Sequence, residues 1–165
     1  MTQAMQTPGW GRANGFVDVG VSAADLSDAQ VRDRLLVLDV VNRYGWSYDE
    51  RDIDSLRRTF AEDAVIDGSV AAQVEIGPFK GRETFVKWNE AHMATQDDQR
   101  RHMILNPTFV VQTSTTAVVN AYLMLTSVAQ GQPRLVTTGL YRFELEKRDG
   151  SWMVIHLFAG FDSAF

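Results

Sequence analysis

The spacing of apolar and polar positions divides the chain into helices first and strands later. From Asp28 onward, at 100° per residue, Val31, Leu35, Leu38, Val41, Gly45 and Trp46 gather on one arc, while Arg32, Asp39, Arg43 and Ser47 fall to the other side. Ser27 and Gln30 form a capping box, each side chain reaching the other's backbone N–H, so this helix starts at Asp28. Asp52 is placed to cap a second, short helix over 53–60, where Leu56 and Phe60 repeat four apart. The period then shortens to a strand over 64–70 and a hairpin partner over 74–79, ending at the turn Lys80-Gly81. Residues 82 to about 96 return to helical spacing, with Phe85, Trp88 and Ala91 or His92 on one face. Three long β-rich runs follow, 101–112, 116–128 and 135–147, and a last one, 152–158, comes after the turn Arg148-Asp149-Gly150.

This order predicts an α+β fold, a bent antiparallel sheet with one face covered by the early helices and a cavity between the two layers. Residues 1–22 read as an arm: Pro8, Gly9, Gly11, Gly15 and Gly20 loosen the backbone, while Trp10, Phe16, Val17 and Val19 offer side chains to pack. Residues 23–165 form one domain. A chain of 165 residues that is 45% hydrophobic has enough apolar side chain for a single core.

Charge and composition remove several function classes. The net charge is -5 and the 16 basic residues are scattered, so no basic stripe is available to neutralise nucleic-acid phosphates. With no cysteine there is no disulfide, thiolate metal site or thiol nucleophile. The first residues carry no basic n-region followed by an apolar run, and no stretch approaches the roughly 20 apolar residues of a membrane span. A cytoplasmic protein that uses neither nucleic acid nor membrane is the expectation. Three histidines at unrelated spacings and the lack of a glycine-rich phosphate loop predict no metal and no cofactor.

Asp49 is the most informative single residue, because it falls inside the apolar arc of the first helix. A carboxylate there faces the core and must be answered by a hydrogen bond or a cation, which is how sites prepare acids and bases. The other reading has the helix already ended, with Asp49 at the surface beside Arg51 or Arg43. His102 alternates with Ile104 and Val110 on a strand face; one ring nitrogen can be fixed by a carboxylate while the other acts as a base, or the ring can be an ordinary core residue. His156 either lines the same cavity or faces a neighbouring subunit, and His92 is placed in solvent. Trp46, Trp88 and Tyr122 are pocket walls or plain core.

The run from Tyr44 to Leu56, with Tyr48-Asp49 followed by Asp52-Ile53-Asp54-Ser55-Leu56, resembles the SnoaL-like branch of the NTF2-like superfamily, close to the scytalone dehydratases. So do Phe60-Ala61-Glu62-Asp63-Ala64, Gly81-Arg82, Arg101-His102, Asn106 and Asp149-Gly150-Ser151-Trp152. The resemblance spans about residues 27–158. It implies an NTF2-like, cystatin-like cone-shaped barrel, in which three helices and a curved antiparallel sheet enclose one pocket. Tyr48, Asp49 and His102 match its catalytic positions, and Trp46, Trp88, Asn106, Ala121, Tyr141 and His156 would contact substrate. The dehydratase pattern has a second tyrosine where this chain has Gly68, a second histidine near Asn120-Ala121-Tyr122, and an asparagine without a match around Tyr141. The implied function is a cofactor-independent lyase or isomerase acting on a small, mostly apolar cyclic or polyketide-like compound. The alternative is a non-catalytic binding or assembly subunit, as in the β-subunits of ring-hydroxylating oxygenases. A homo-oligomer, dimer or trimer, is expected through Met103, Leu105, Phe109, Tyr122 and Met124, on the outer sheet face.

Overall fold

The computed structural model describes residues 22–165, and the arm, apart from Ser22, lies outside the described residues. A 3-10 turn at Ala23–Asp25 leads into helix α1, Asp28–Asp49. The capping box forms: the Gln30 backbone N–H donates to Ser27 Oγ at 3.4 Å, and the Ser27 N–H donates to Gln30 Oε1 at 3.0 Å. Helix α2, Ile53–Thr59, is capped by the Asp52 carboxylate, which accepts from the Ser55 N–H at 2.9 Å. Strands β1, Phe60–Val70, and β2, Val74–Lys80, form the hairpin before helix α3, Arg82–Ala94. The four remaining strands are β3, Gln99–Gln112; β4, Thr116–Ala129; β5, Gln132–Arg148; and β6, Ser151–Phe161.

The six strands make one sheet in the order β2-β1-β6-β5-β4-β3. The three helices pack on one of its faces, giving the expected α+β architecture. Two details differ from a wholly antiparallel barrel. Helix α3 carries the chain to the far edge, and the meander from β3 to β6 returns beside β1 in the same direction, so the β1–β6 pair is parallel and the sheet is mixed. Among the described residues the sheet also stays open, with β2 and β3 as its edges. Gly68 of β1 and Gly139 of β5 flank β6, and a Cβ at either would collide with the carbonyl oxygen of Ala159 or Gly160. That close approach leaves no room at position 68 for the tyrosine of the dehydratase pattern.

The core lies between the helices and the inner sheet face. Val37, Val41 and Tyr44 of α1, Leu56 of α2 and Phe85 and Val86 of α3 meet Val119, Leu123, Leu125, Phe143, Leu145 and Leu157. The buried arc of α1 is rotated from the one the hydropathy pattern gives: Val31, Leu35 and Trp46 are 43%, 65% and 68% exposed. Tyr44 turns the helix, because its ring meets Phe60, Tyr141 and Phe143 edge-on at 5.6–5.8 Å and a tyrosine buries more apolar area than the valine it displaces from the arc.

Strand β3 contains a bulge. Asn106 adopts a left-handed φ of 51°, and the pairing with β4 shifts between Leu105 and Thr108. A bulge inverts side-chain parity. His102 and Ile104 face inward before it, and Phe109 faces inward after it, buried beneath the Arg34 guanidinium at 4.3 Å. Phe109 therefore does not join Met103 and Leu105 on the outer face. Among the described residues no helix is long and apolar enough to cross a membrane.

Candidate functional site

The site forms where the last turn of α1 meets the first turn of inward-facing residues on β3. Gly45 sets the approach: a Cβ there would stand 3.1 Å from the His102 carbonyl oxygen, so only a residue without a side chain lets the helix lie this close. One turn on, the Asp49 carboxylate makes two bonds to a single residue. Its Oδ1 accepts from His102 Nδ1 at 2.6 Å and its Oδ2 accepts from the His102 backbone N–H at 2.8 Å. Both side chains are nearly enclosed, Asp49 at 7% exposed and His102 at 6%. Asp49 thus belongs to the helix and is turned inward; the surface arrangement with Arg43 or Arg51 does not form. Arg43 pairs instead with Asp39, and Arg51 donates to the carbonyls of Gln96 and Asp98. Gln99 ties the junction by donating to the Asp49 carbonyl at 3.0 Å.

For a neutral imidazole beside an ionised carboxylate, the hydrogen bond assigns the tautomer. A carboxylate only accepts, so the ring hydrogen sits on Nδ1 and the lone pair falls on Nε2, on the side of the ring away from Asp49. His102 lines a cavity of about 80 Å³ between sheet and helices, whose walls also include Tyr44, Tyr48, Trp88, Asn89, His92, Arg100 and Tyr141. Tyr48 packs edge-on to the imidazole at 4.6 Å. Gln96 Nε2 donates to the Tyr48 hydroxyl at 2.9 Å, which leaves the phenolic O–H free to donate elsewhere. Burial pushes the Tyr48 phenol up, outweighing the opposing hydrogen bond from Gln96, so it remains a neutral donor. Burial likewise raises Tyr44 and Tyr141. On the other side of the dyad a larger groove of about 320 Å³ runs between α1 and the edge strand, lined by Asn42, Trp46, Asp49, Arg101 and Met103 among others. The inner cavity is the one on which several polar groups converge beside His102.

The expected substrate contacts divide. Trp88 and Tyr141 line the inner cavity. Trp46 does not; the rotation of α1 puts it on the outer groove. Asn106 is exposed at the bulge, whose left-handed turn points it away from the cavity. Ala121 is buried and pairs with Tyr141 across the strands, but is not among the cavity walls. His156 is on the outer sheet face, because it stands in register with Glu144 and Val65, and its Nε2 lies 3.1 Å from Asp67 Oδ1.

The cavity residues not anticipated include three with polar side chains near the dyad. His92, expected in solvent, stacks on Trp88 at 5.4 Å with an interplanar angle of 3°, and burial and then Arg100 lower its pKa. Asn89 is 1% exposed and donates to the Phe85 carbonyl. Its four-residue spacing from Phe85 was the available signal. Arg100 was missed because the strand begins two residues earlier than the hydropathy suggests; strand alternation then puts Arg100 on the face of His102. Among the described residues no three His, Asp or Glu side chains gather as a metal-binding group.

With this geometry in place, comparison with known proteins identifies the family. The SnoaL-like domain model matches residues 29–157, and the chain belongs to that family. No curated protein matches the sequence. Among solved structures, a ring-hydroxylating dioxygenase beta-subunit-like protein from Novosphingobium aromaticivorans superposes with a TM-score of 0.72 at 14% identity, covering 84% of this chain and 94% of that one. An NTF2-like protein with a cystatin-like fold from the same organism gives 0.64 at 19% identity, with 84% and 90% covered. ActVI-ORFA from Streptomyces coelicolor gives 0.65 at 19% identity, with 78% and 96% covered. The fold is NTF2-like, and family and cavity together define a small-molecule-binding domain.

Proposed function

We propose that the protein is a cofactor-independent lyase or isomerase that removes a proton from a carbon beside a carbonyl group. The observation carrying this reading is the Asp49–His102 pair, whose hydrogen bond at 2.6 Å leaves Nε2 unengaged on a side chain that lines the inner cavity. His102 Nε2 takes the proton; Asp49 holds Nδ1–H and stabilises the imidazolium; the Tyr48 O–H donates to the oxygen on which negative charge develops. Return of the proton to another carbon completes a double-bond shift, and its delivery to a β-hydroxyl expels water. Both outcomes begin with the same step.

That step is tested by incubating the protein in deuterated water with small cyclic ketones and β-hydroxy ketones and following exchange at the α-carbon by NMR. Exchange by the wild type that is lost in His102→Ala supports the reading. Saturable binding without exchange favours the non-catalytic alternative, toward which the similarity to the dioxygenase beta-subunit-like protein points.

A further inference from the structure

We infer that the ligand of the inner cavity carries an anionic oxygen group, a carboxylate or an ionised phenol, which binds the Nη1–Nη2 edge of Arg100. The inference deepens the proposed function by naming the substrate class, and it rests on that reading for the choice of cavity.

Arg100 lies two residues before His102 on β3 and faces the same cavity. Its side chain is only 16% exposed. None of its nitrogens is both buried and unpartnered, so its unengaged donors open onto accessible space, where an acceptor can reach them. The one hydrogen bond its side chain donates to the described residues runs from Nε to Asp98 Oδ1, at 3.3 Å. The terminal nitrogens Nη1 and Nη2 donate to none of them. The Phe165 ring stands 5.8 Å from Cζ, which adds a wall and no acceptor. Asp98 thus answers the charge from one edge and leaves the fork open. A planar pair of N–H groups matches the two oxygens of a carboxylate or the single oxygen of a phenolate.

The rest of the cavity fits an aromatic or cyclic acid better than a wholly apolar compound. Trp88, Phe85 and Leu125 supply apolar wall; the acidic residue among the walls, Asp67, is engaged by His156, and Asp98 is the ion-pair partner of Arg100 among the described residues. Seated on Arg100, a ligand has its ring beside Tyr48 and His102, since residues two apart on a strand share a face about 7 Å apart. Arg100 would then be a binding and positioning residue, with the acid–base chemistry left to His102.

Benzoate and benzamide, alike in shape and different in charge, are the probes, titrated calorimetrically into the wild type and into Arg100→Gln, Arg100→Lys and His102→Ala. Wild type should bind benzoate at least about tenfold more tightly than benzamide, the difference expected of one charge-assisted pair. Arg100→Gln should erase the ratio and Arg100→Lys keep part of it. His102→Ala should retain it, because the preference does not come from the imidazole. Equal affinity of the wild type for the two probes, no binding of benzoate, or an unchanged ratio in Arg100→Gln overturns the inference. A ratio that vanishes only in His102→Ala assigns the anion to the imidazole and overturns it too. Absence of exchange by the wild type, with the ratio intact, refutes the acid–base reading alone.

Discussion

Gly45 lies so close beneath His102 that a Cβ on it would stand 3.1 Å from the strand's carbonyl oxygen, and this one contact sets the distance between helix α1 and the edge of the sheet. Gly45→Ala requires a shift of a few tenths of an ångström, and Gly45→Val a larger one. The expected result is a graded fall in turnover, Val below Ala, with KM changing less than kcat. The dyad's hydrogen bond lengthens while the cavity walls stay in place. Steady-state kinetics on the two variants, with thermal melts beside them, check it.

Removing the imidazole in His102→Ala should reduce turnover by about 10²–10⁴ with an unchanged circular dichroism spectrum. Asp49→Asn should cost nearly as much. Its amide oxygen can still accept from the His102 N–H, but its NH2 then confronts Nδ1 and favours the tautomer with hydrogen on Nε2. Tyr48→Phe removes one donor and should cost roughly tenfold. Turnover equal to wild type in His102→Ala, on a substrate the parent converts, defeats the proposed roles.

Asp33 governs stability in acid. Its buried carboxylate accepts from Lys147 Nζ at 2.8 Å and Trp152 Nε1 at 3.1 Å, and the bond from Lys147, the largest influence, holds its pKa below the usual carboxylate range despite burial. A depressed folded-state pKa contributes stability above the unfolded-state value of about 4 and loses it as pH falls through the folded-state value. Asp33→Asn should therefore be less stable than wild type at neutral pH, by about 1–3 kcal/mol, and the two should converge in acid. Urea titrations at pH 7 and pH 3 give the comparison.

The outer sheet face exposes Leu105 and Tyr122, which pair across β3 and β4, with Met103 and Met124 half-buried beside them. We propose that this face joins two copies of the chain. Tyr122→Lys should shift the protein to monomer in sedimentation velocity at micromolar concentration. A wild type that is already monomeric there contradicts the proposal.

The helix starts were legible because capping is local: Ser27 with Gln30, and Asp52 with Ser55, mark α1 and α2 to the residue. Asp49 and His102 were legible through the family resemblance, which brought together residues 53 positions apart that no local pattern links. Illegible features depended on tertiary packing. Tyr44 counts as polar on a hydropathy scale yet buries its ring, so the exposed side of α1 was misplaced and Trp46 with it. Asn106 gives no sign in its neighbours that it will turn left-handed, and Phe109 beyond it changed face, until a second shift before Val111 restored the original alternation. Arg100 is a charge at a strand start, where solvent is the ordinary destination.

Among the described residues strand β3 has a strand neighbour on one side only, and an edge of that kind is a template on which another strand can add itself. At His102 that position is taken, because the main-chain N–H that would greet an incoming strand is spent on Asp49 Oδ2. The carboxylate that orients the imidazole therefore also plugs the sheet. Asp49→Ala, unlike Asp49→Asn, would uncover that hydrogen-bond donor, and the protein would then lose solubility along with activity.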